Sequence, residues 1–150
     1  MPSNRSATVA ATALIAAGLL GLSTTTASAQ PPGPPPVPPV VTVVPERPAQ
    51  GGTTPFVANP GITDAHPQVV TSWSRLPNDR AIAVQFTTGT PECYGVAAEV
   101  QETPDLVAVK LRSGTLPGLG QRPCIMLAVF GTLDVPLANP VGNRAVLSIT

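Results

Sequence analysis

Residues 94–112 read Tyr94-Gly95-Val96-Ala97-Ala98-Glu99-Val100-Gln101-Glu102-Thr103-Pro104-Asp105-Leu106-Val107-Ala108-Val109-Lys110-Leu111-Arg112, and their alternation decides the fold. Side chains two apart share a face of a strand. Tyr94, Val96, Ala98 and Val100 therefore fall on one face, and Val107, Val109 and Leu111 on one face of the next segment. Thr103-Pro104-Asp105-Leu106 reads as a four-residue loop, with Pro104 suited to position i+1 of a turn. Pairing Glu102 with Val107 sets Val100 opposite Val109, Ala98 opposite Leu111 and Glu99 opposite Lys110. A slip by one residue would spoil both faces together. The register predicts a cross-strand Glu99–Lys110 ion pair, which at an exposed position adds only about 0.3 kcal/mol.

On either side of this hairpin the same signal recurs. Val69–Leu76, Ala81–Thr87, Cys124–Phe130 and Arg144–Ile149 are short and rich in β-branched or aliphatic residues. Between the strands lie Pro77-Asn78-Asp79, Thr88-Gly89-Thr90-Pro91, Ser113–Pro123 and Pro136–Asn143, all rich in turn formers. No segment beyond residue 29 holds helical period over ten or more residues without a breaker. The expectation is an all-β domain, a small antiparallel sandwich or partial barrel of about six strands.

Cys93 and Cys124 flank the hairpin and are the two cysteines of the chain. Their separation does not suit a redox-active C-x-x-C arrangement, and they read as one structural bridge. Closing a loop of 31 residues removes about 3.7 kcal/mol of unfolded-chain entropy. That matters in a domain whose aromatics are few (Trp73, Phe86, Tyr94 and Phe130) and whose core is aliphatic.

Residues 1–29 read as a signal peptide. Arg5 supplies the positive region, Ala7–Leu22 carries no charge, and Ala27-Ser28-Ala29 is a small-x-small cleavage pattern. The apolar run is shorter than the ~20 residues of a comfortable span, though an uncleaved anchor is the competing reading. No cysteine follows the cleavage pattern, so a lipid-modified cysteine is not expected there. Export, to the extracellular space or the cell wall, is where a disulfide persists. No second apolar run follows, so a cleaved chain is expected to be soluble. From Pro31 to Pro48 half the residues are proline. Proline lacks an N–H and fixes φ, so residues 30–66 are expected to form an extended polyproline linker. It would serve as a spacer in preference to a docking peptide for an aromatic groove. The boundary falls near His66, leaving 67–150 as the disulfide-linked β domain.

Charge excludes several classes. Loss of Arg5 with the leader leaves seven basic residues against eight acidic ones. That balance gives no footprint for nucleic acid and no polybasic run for anionic lipid, so a membrane is met only through the leader. With both cysteines bonded, His66 and scattered acids are too few for a metal site, and no metal or cofactor is expected. His66 reads as an exposed linker residue, and no G-x-S-x-G elbow accompanies it. Glu99, Glu102 and Asp105 gather at one hairpin. A glycosidase needs two acids facing across a cleft, whereas a charged hairpin rim is ordinary. No catalytic residue is assigned, and the chain does not read as an enzyme. No nucleotide-binding loop motif is present either.

The loop Ser113–Pro123 is the candidate interaction surface, with Leu116, Leu119 and Arg122 as its candidate contact residues. The competing reading folds the leucines back onto the core. Trp73 reads as a core or edge aromatic.

Cys93, Val96, Val100-x-Glu102-Thr103, Val107-x-Val109 and Cys124 continue into Val135-x-Leu137 and Pro140-Val141-Gly142-x-Arg144-x-Val146. This span, residues 93–146, resembles a small cysteine-pair β domain of exported actinobacterial proteins and lipoproteins, a domain without assigned activity. Val141 stands where that pattern has Leu, and the acidic residue that often follows its last strand is missing. The resemblance implies export, a disulfide and β architecture. It also implies a structural role for Arg144, paired with Asp134.

The expected function is a non-enzymatic β module, secreted or envelope-associated, with a binding or structural role toward a surface or extracellular partner. A small secreted protease inhibitor using Ser113–Pro123 is the first rival, and a carboxylate-dependent hydrolase the second.

Overall fold

The computed structural model describes residues 33, 37–120 and 122–150. The expected signal peptide, 1–29, lies outside the described residues, as do positions 30–32 and 34–36 at the start of the proline run. The chain divides into two units, and all that follows concerns Pro36–Thr150.

This unit is all β. Its strands are β1 (Val41–Val43), β2 (Thr54–Phe56), β3 (Thr63–Gln68), β4 (Ser72–Arg75), β5 (Ala81–Thr88), β6 (Tyr94–Glu102), β7 (Leu106–Thr115), β8 (Val129–Pro136) and β9 (Ala145–Ile149). The hairpin has the register that its alternation predicts: Glu99 faces Lys110, Val100 faces Val109, Ala98 faces Leu111 and Glu102 faces Val107. Val96, Val107, Val109 and Leu111 are fully buried, and Ala98 and Val100 pack against them. The turn is tighter than expected, because Leu106 joins β7. Thr103 closes it, accepting the Leu106 N–H at its hydroxyl and donating its own N–H to the Leu106 carbonyl.

β7 organises the first sheet. β6 runs along one of its edges, and β9 and β3 divide the other, pairing with Leu106–Val109 and Leu111–Thr115 respectively. β1 lies outside β9. The second sheet has the order β2-β8-β5-β4. Two pairs, β2–β8 and β7–β9, are parallel, where an antiparallel architecture was expected. For β7 and β9 the crossover is β8, which lies in the opposite sheet and so returns the chain to the same end.

The boundary near His66 needs correction: β1, β2 and the start of β3 lie inside the expected linker. Proline is excluded from strands only where its missing N–H is needed, and edge strands tolerate it. Pro55 lies in β2 and Pro67 in β3, each with one neighbour, and Val41-Thr42-Val43-Val44 is a proline-free stretch between Pro39 and Pro45. These strands also stitch the two sheets together. After β1, Arg47 N–H donates to the Trp73 carbonyl at β4. After β2, Asn59 N–H donates to the Val96 carbonyl at β6. The proline-rich chain thus closes both flanks of the β domain.

β8 is also displaced from expectation. The apolar run Cys124–Phe130 predicts a strand, but pairing begins at Val129, opposite Thr88. β5 ends there at the Gly89-Thr90-Pro91 turn, so residues before Val129 have no partner strand. Within β8, Gly131, Leu133 and Val135 point inward. Any side chain at Gly131 would run into the Phe86 ring, which meets Phe56 edge-on at 5.4 Å between centroids. The core joins these rings to Val44, Trp73, Ile82, Val84, Leu137, Val141 and Val146. Trp73 is a core residue, with the Arg75 guanidinium over its ring.

Candidate functional site

Glu102 and Arg144 anchor a polar cluster at the end of β6. Val100 and Ala98 place the apolar face of β6 inward, and the strand ends with Glu102 turned toward the Leu137–Arg144 connection. Arg144 donates through Nη1 to Glu102 Oε2 at 2.8 Å, and through Nη2 to the carbonyls of Asn139 and Pro140 at 2.7 and 2.8 Å. Glu102 also accepts the N–H groups of Ala138 and Asn139. The Arg144 hydrogen bond holds the Glu102 carboxyl below the usual glutamate range. Partial burial opposes this, and the Ala138 and Asn139 amides reinforce it. The pair therefore corrects the expected Arg144–Asp134 contact: Asp134 is exposed on the outer face of β8 and joins none of the ion pairs among the described residues.

This cluster ties down a loop and does not offer its groups outward. A hollow of about 500 Å³ beside it is lined by Glu102 and Arg144, but by neither Glu99 nor Asp105. Glu99 lies instead 3.9 Å from Lys110 on the exposed face. The three acids of the hairpin thus do not share one cleft. Among the described residues, no group of three or more His, Cys, Asp or Glu side chains is placed to hold a metal.

A second concavity of about 390 Å³ lies where β5 ends beside β3. His66 and Gln68 of β3, Thr88 of β5, Tyr94 of β6 and Ser113 of β7 line it. Thr88 Oγ1 and Ser113 Oγ lie 2.6 Å apart and join the two sheets there. His66 is exposed, as expected, but belongs to a strand and not to a linker. The remaining wall is Ile125-Met126-Leu127-Ala128. Ile125 is 63% exposed, Met126 95% and Leu127 55%, and Phe130 just beyond is 71% exposed. An apolar run on the surface beside a concavity is the anatomy of a contact site.

The disulfide joins Cys93, buried in the turn before β6, to Cys124, part-exposed just before this run; their Cα atoms are 5.9 Å apart. Cys124 lies in irregular chain and not, as expected, at a strand start.

The candidate residues Leu116, Leu119 and Arg122 are not gathered at this groove. Ser113–Thr115 belong to β7. Leu116 is half-buried and packs on Gly95 in a separate hollow with Pro55, Phe56 and Val57. Leu119 is half-buried too, and Arg122 is exposed. The sequence pattern places Ile125, Met126 and Leu127 in a strand, whereas they lie exposed in irregular chain before β8. The signal that marks them is positional: they directly follow Pro123-Cys124 and lie outside the reach of β5.

No family model matches the chain, and no curated protein or solved structure matches it either.

Proposed function

We propose that this chain is an exported β module whose work is to bind a protein partner through Ile125, Met126 and Leu127 and the groove beside them. One observation carries the reading: three consecutive apolar side chains face solvent on a segment with no strand partner, anchored by a disulfide. Burying such side chains is worth about 1.5–3 kcal/mol each, and the fold leaves that burial unmade. The site is mostly apolar, with four hydroxyls (Thr87, Thr88, Tyr94 and Ser113), the Gln68 amide and the His66 imidazole as its polar groups. This suits apolar side chains and unpaired peptide groups better than a charged polymer. The leader pattern at Ala27-Ser28-Ala29 and the disulfide support an exported compartment.

The test is a capture experiment with the full chain against co-secreted proteins and cell-wall polymers, alongside an Ile125→Ser/Met126→Ser/Leu127→Ser variant. The expected result is a protein partner retained by the native chain, and lost from the variant at unchanged Tm. Equal retention by both chains, or retention of polymer alone, removes this reading. Inhibition of a serine protease with cleavage between Leu116 and Pro123 would replace it with the inhibitor reading.

A further inference from the structure

Among the described residues, the chain from Leu116 to Ala128 contributes nothing to the core cluster. Among the described residues, the backbone hydrogen bonds of this stretch are two: Leu116 N–H to the Cys93 carbonyl, and Arg122 N–H to the Leu119 carbonyl. The second is internal to the loop. Past Leu116, the strong attachment to the rest of the molecule before Val129 is therefore covalent, through Cys124. Cys93, by contrast, is held independently. Its N–H donates to the Thr90 carbonyl, and the adjoining ladder pairs Tyr94–Glu102 with Val107–Thr115 at nine positions. None of these contacts needs the bridge.

We propose that the Cys93–Cys124 bond is a redox clasp. It holds the segment Pro117–Ala128 against the groove, and its reduction by a dithiol frees that segment while the strands stay paired. The inference stands on attachment geometry and does not rest on the binding reading. Cys93 is buried at 3% exposure, whereas Cys124 is part-exposed, so an incoming thiolate meets the Cys124 sulfur first. A mixed disulfide forms at Cys124, and Cys93 leaves as thiolate and takes up a proton. The second thiol of the reductant then displaces Cys124, which is protonated in turn. The protein disulfide gains two electrons and two protons, and the dithiol becomes a disulfide. In the oxidised form Ile125–Ala128 wall the groove. In the reduced form the segment has no fixed attachment, and Thr88, Tyr94 and Ser113 at the other walls become open. A structural staple would behave differently, because its loss would loosen β6 and β7, the strands it encloses in sequence.

The experiment is limited proteolysis of the full chain with a protease that cuts after large apolar residues, with and without dithiothreitol, paired with hydrogen exchange of the strand amides. Cleavage requires a locally mobile stretch. The expected result is that cutting after Leu119, Met126 or Leu127 rises about tenfold or more on reduction, while any rise in exchange is shared evenly by β4, β5, β6, β7 and β8, as the lost constraint on the unfolded chain alone requires. A Cys93→Ala/Cys124→Ser variant should behave without reductant as the reduced chain does. Unchanged cleavage overturns the clasp, because something other than the bond then holds the segment. Exchange that rises in β6 and β7 beyond the rise in β4, β5 and β8, or an unfolded variant, overturns it as well, since the bond is then a staple of the sheets.

Discussion

Glu102 and Arg144, 42 positions apart, meet at 2.8 Å with side-chain exposures of 14% and 8%. β6 delivers the acid and the last connection delivers the base. Between them they satisfy two backbone amides and two backbone carbonyls of the Ala138–Pro140 turn. Removing one partner leaves a poorly hydrated charge and several peptide groups without bonds. Arg144→Met is expected to cost about 2 kcal/mol or more, read as a fall in the urea midpoint at unchanged m. A loss below about 0.5 kcal/mol would show that water replaces the cluster without cost.

The same pair gives stability a pH dependence. The folded-state Glu102 carboxyl titrates below its ordinary range, chiefly because Arg144 donates to it. Its contribution is thus fully present above the ordinary glutamate range and is lost as pH falls through the lowered folded value. Native chain and Glu102→Gln should differ most near neutrality and converge in acid. Unfolding curves with a constant difference down to about pH 3 would contradict the assignment.

Glu99 and Lys110 face each other across the same hairpin, yet they are 66% and 48% exposed and 3.9 Å apart. Solvent screening leaves little there. A double-mutant cycle on Glu99→Ala and Lys110→Ala should give a coupling below about 0.5 kcal/mol.

Thr88 Oγ1 and Ser113 Oγ, at 2.6 Å, link β5 of one sheet to β7 of the other. Ser113 is 1% exposed, and its other partner, the Gly95 carbonyl, lies at 3.5 Å. Thr88→Val keeps the shape and removes the hydroxyl. It should cost about 1–2 kcal/mol, measured by thermal or denaturant unfolding. A Thr88→Ser variant should retain most of that.

Gly114 lies beneath a bulge. β3 shifts register between Thr63 and His66, where Asp64 takes φ of 51°, and a Cβ on Gly114 would run into the Thr63 carbonyl oxygen. Backbone cannot step aside as a side chain can. Gly114→Ala should therefore lower stability by about 2 kcal/mol. A neutral result would mean that the β3 bulge yields without cost.

The hairpin was legible because its information is local. Alternation from Tyr94 to Arg112, one short loop and one charged pair all demand the same register. β5 and β9 were legible for the same reason. β1, β2 and β3 were not, because proline density masks strands whose free edges make proline harmless; that freedom is a property of their position in the sheet. Cys124–Phe130 misled in the opposite sense: a continuous apolar run signals burial, and whether it obtains a partner depends on where β5 stops. The groove could not be read at all, since its walls come from β3, β5, β6, β7 and the Ile125–Ala128 segment.

By itself the order of amino acids determined the all-β class, the central hairpin with its register, and the pairing of two cysteines, since each follows from side-chain period or from there being a single possible partner. Only the folded molecule decided which prolines lie on edges, that Arg144 turns to Glu102 and not to Asp134, and that Ile125–Leu127 stay outside. Those outcomes depend on which segments become neighbours across long stretches of chain, and periodicity carries no information about distances that only packing sets.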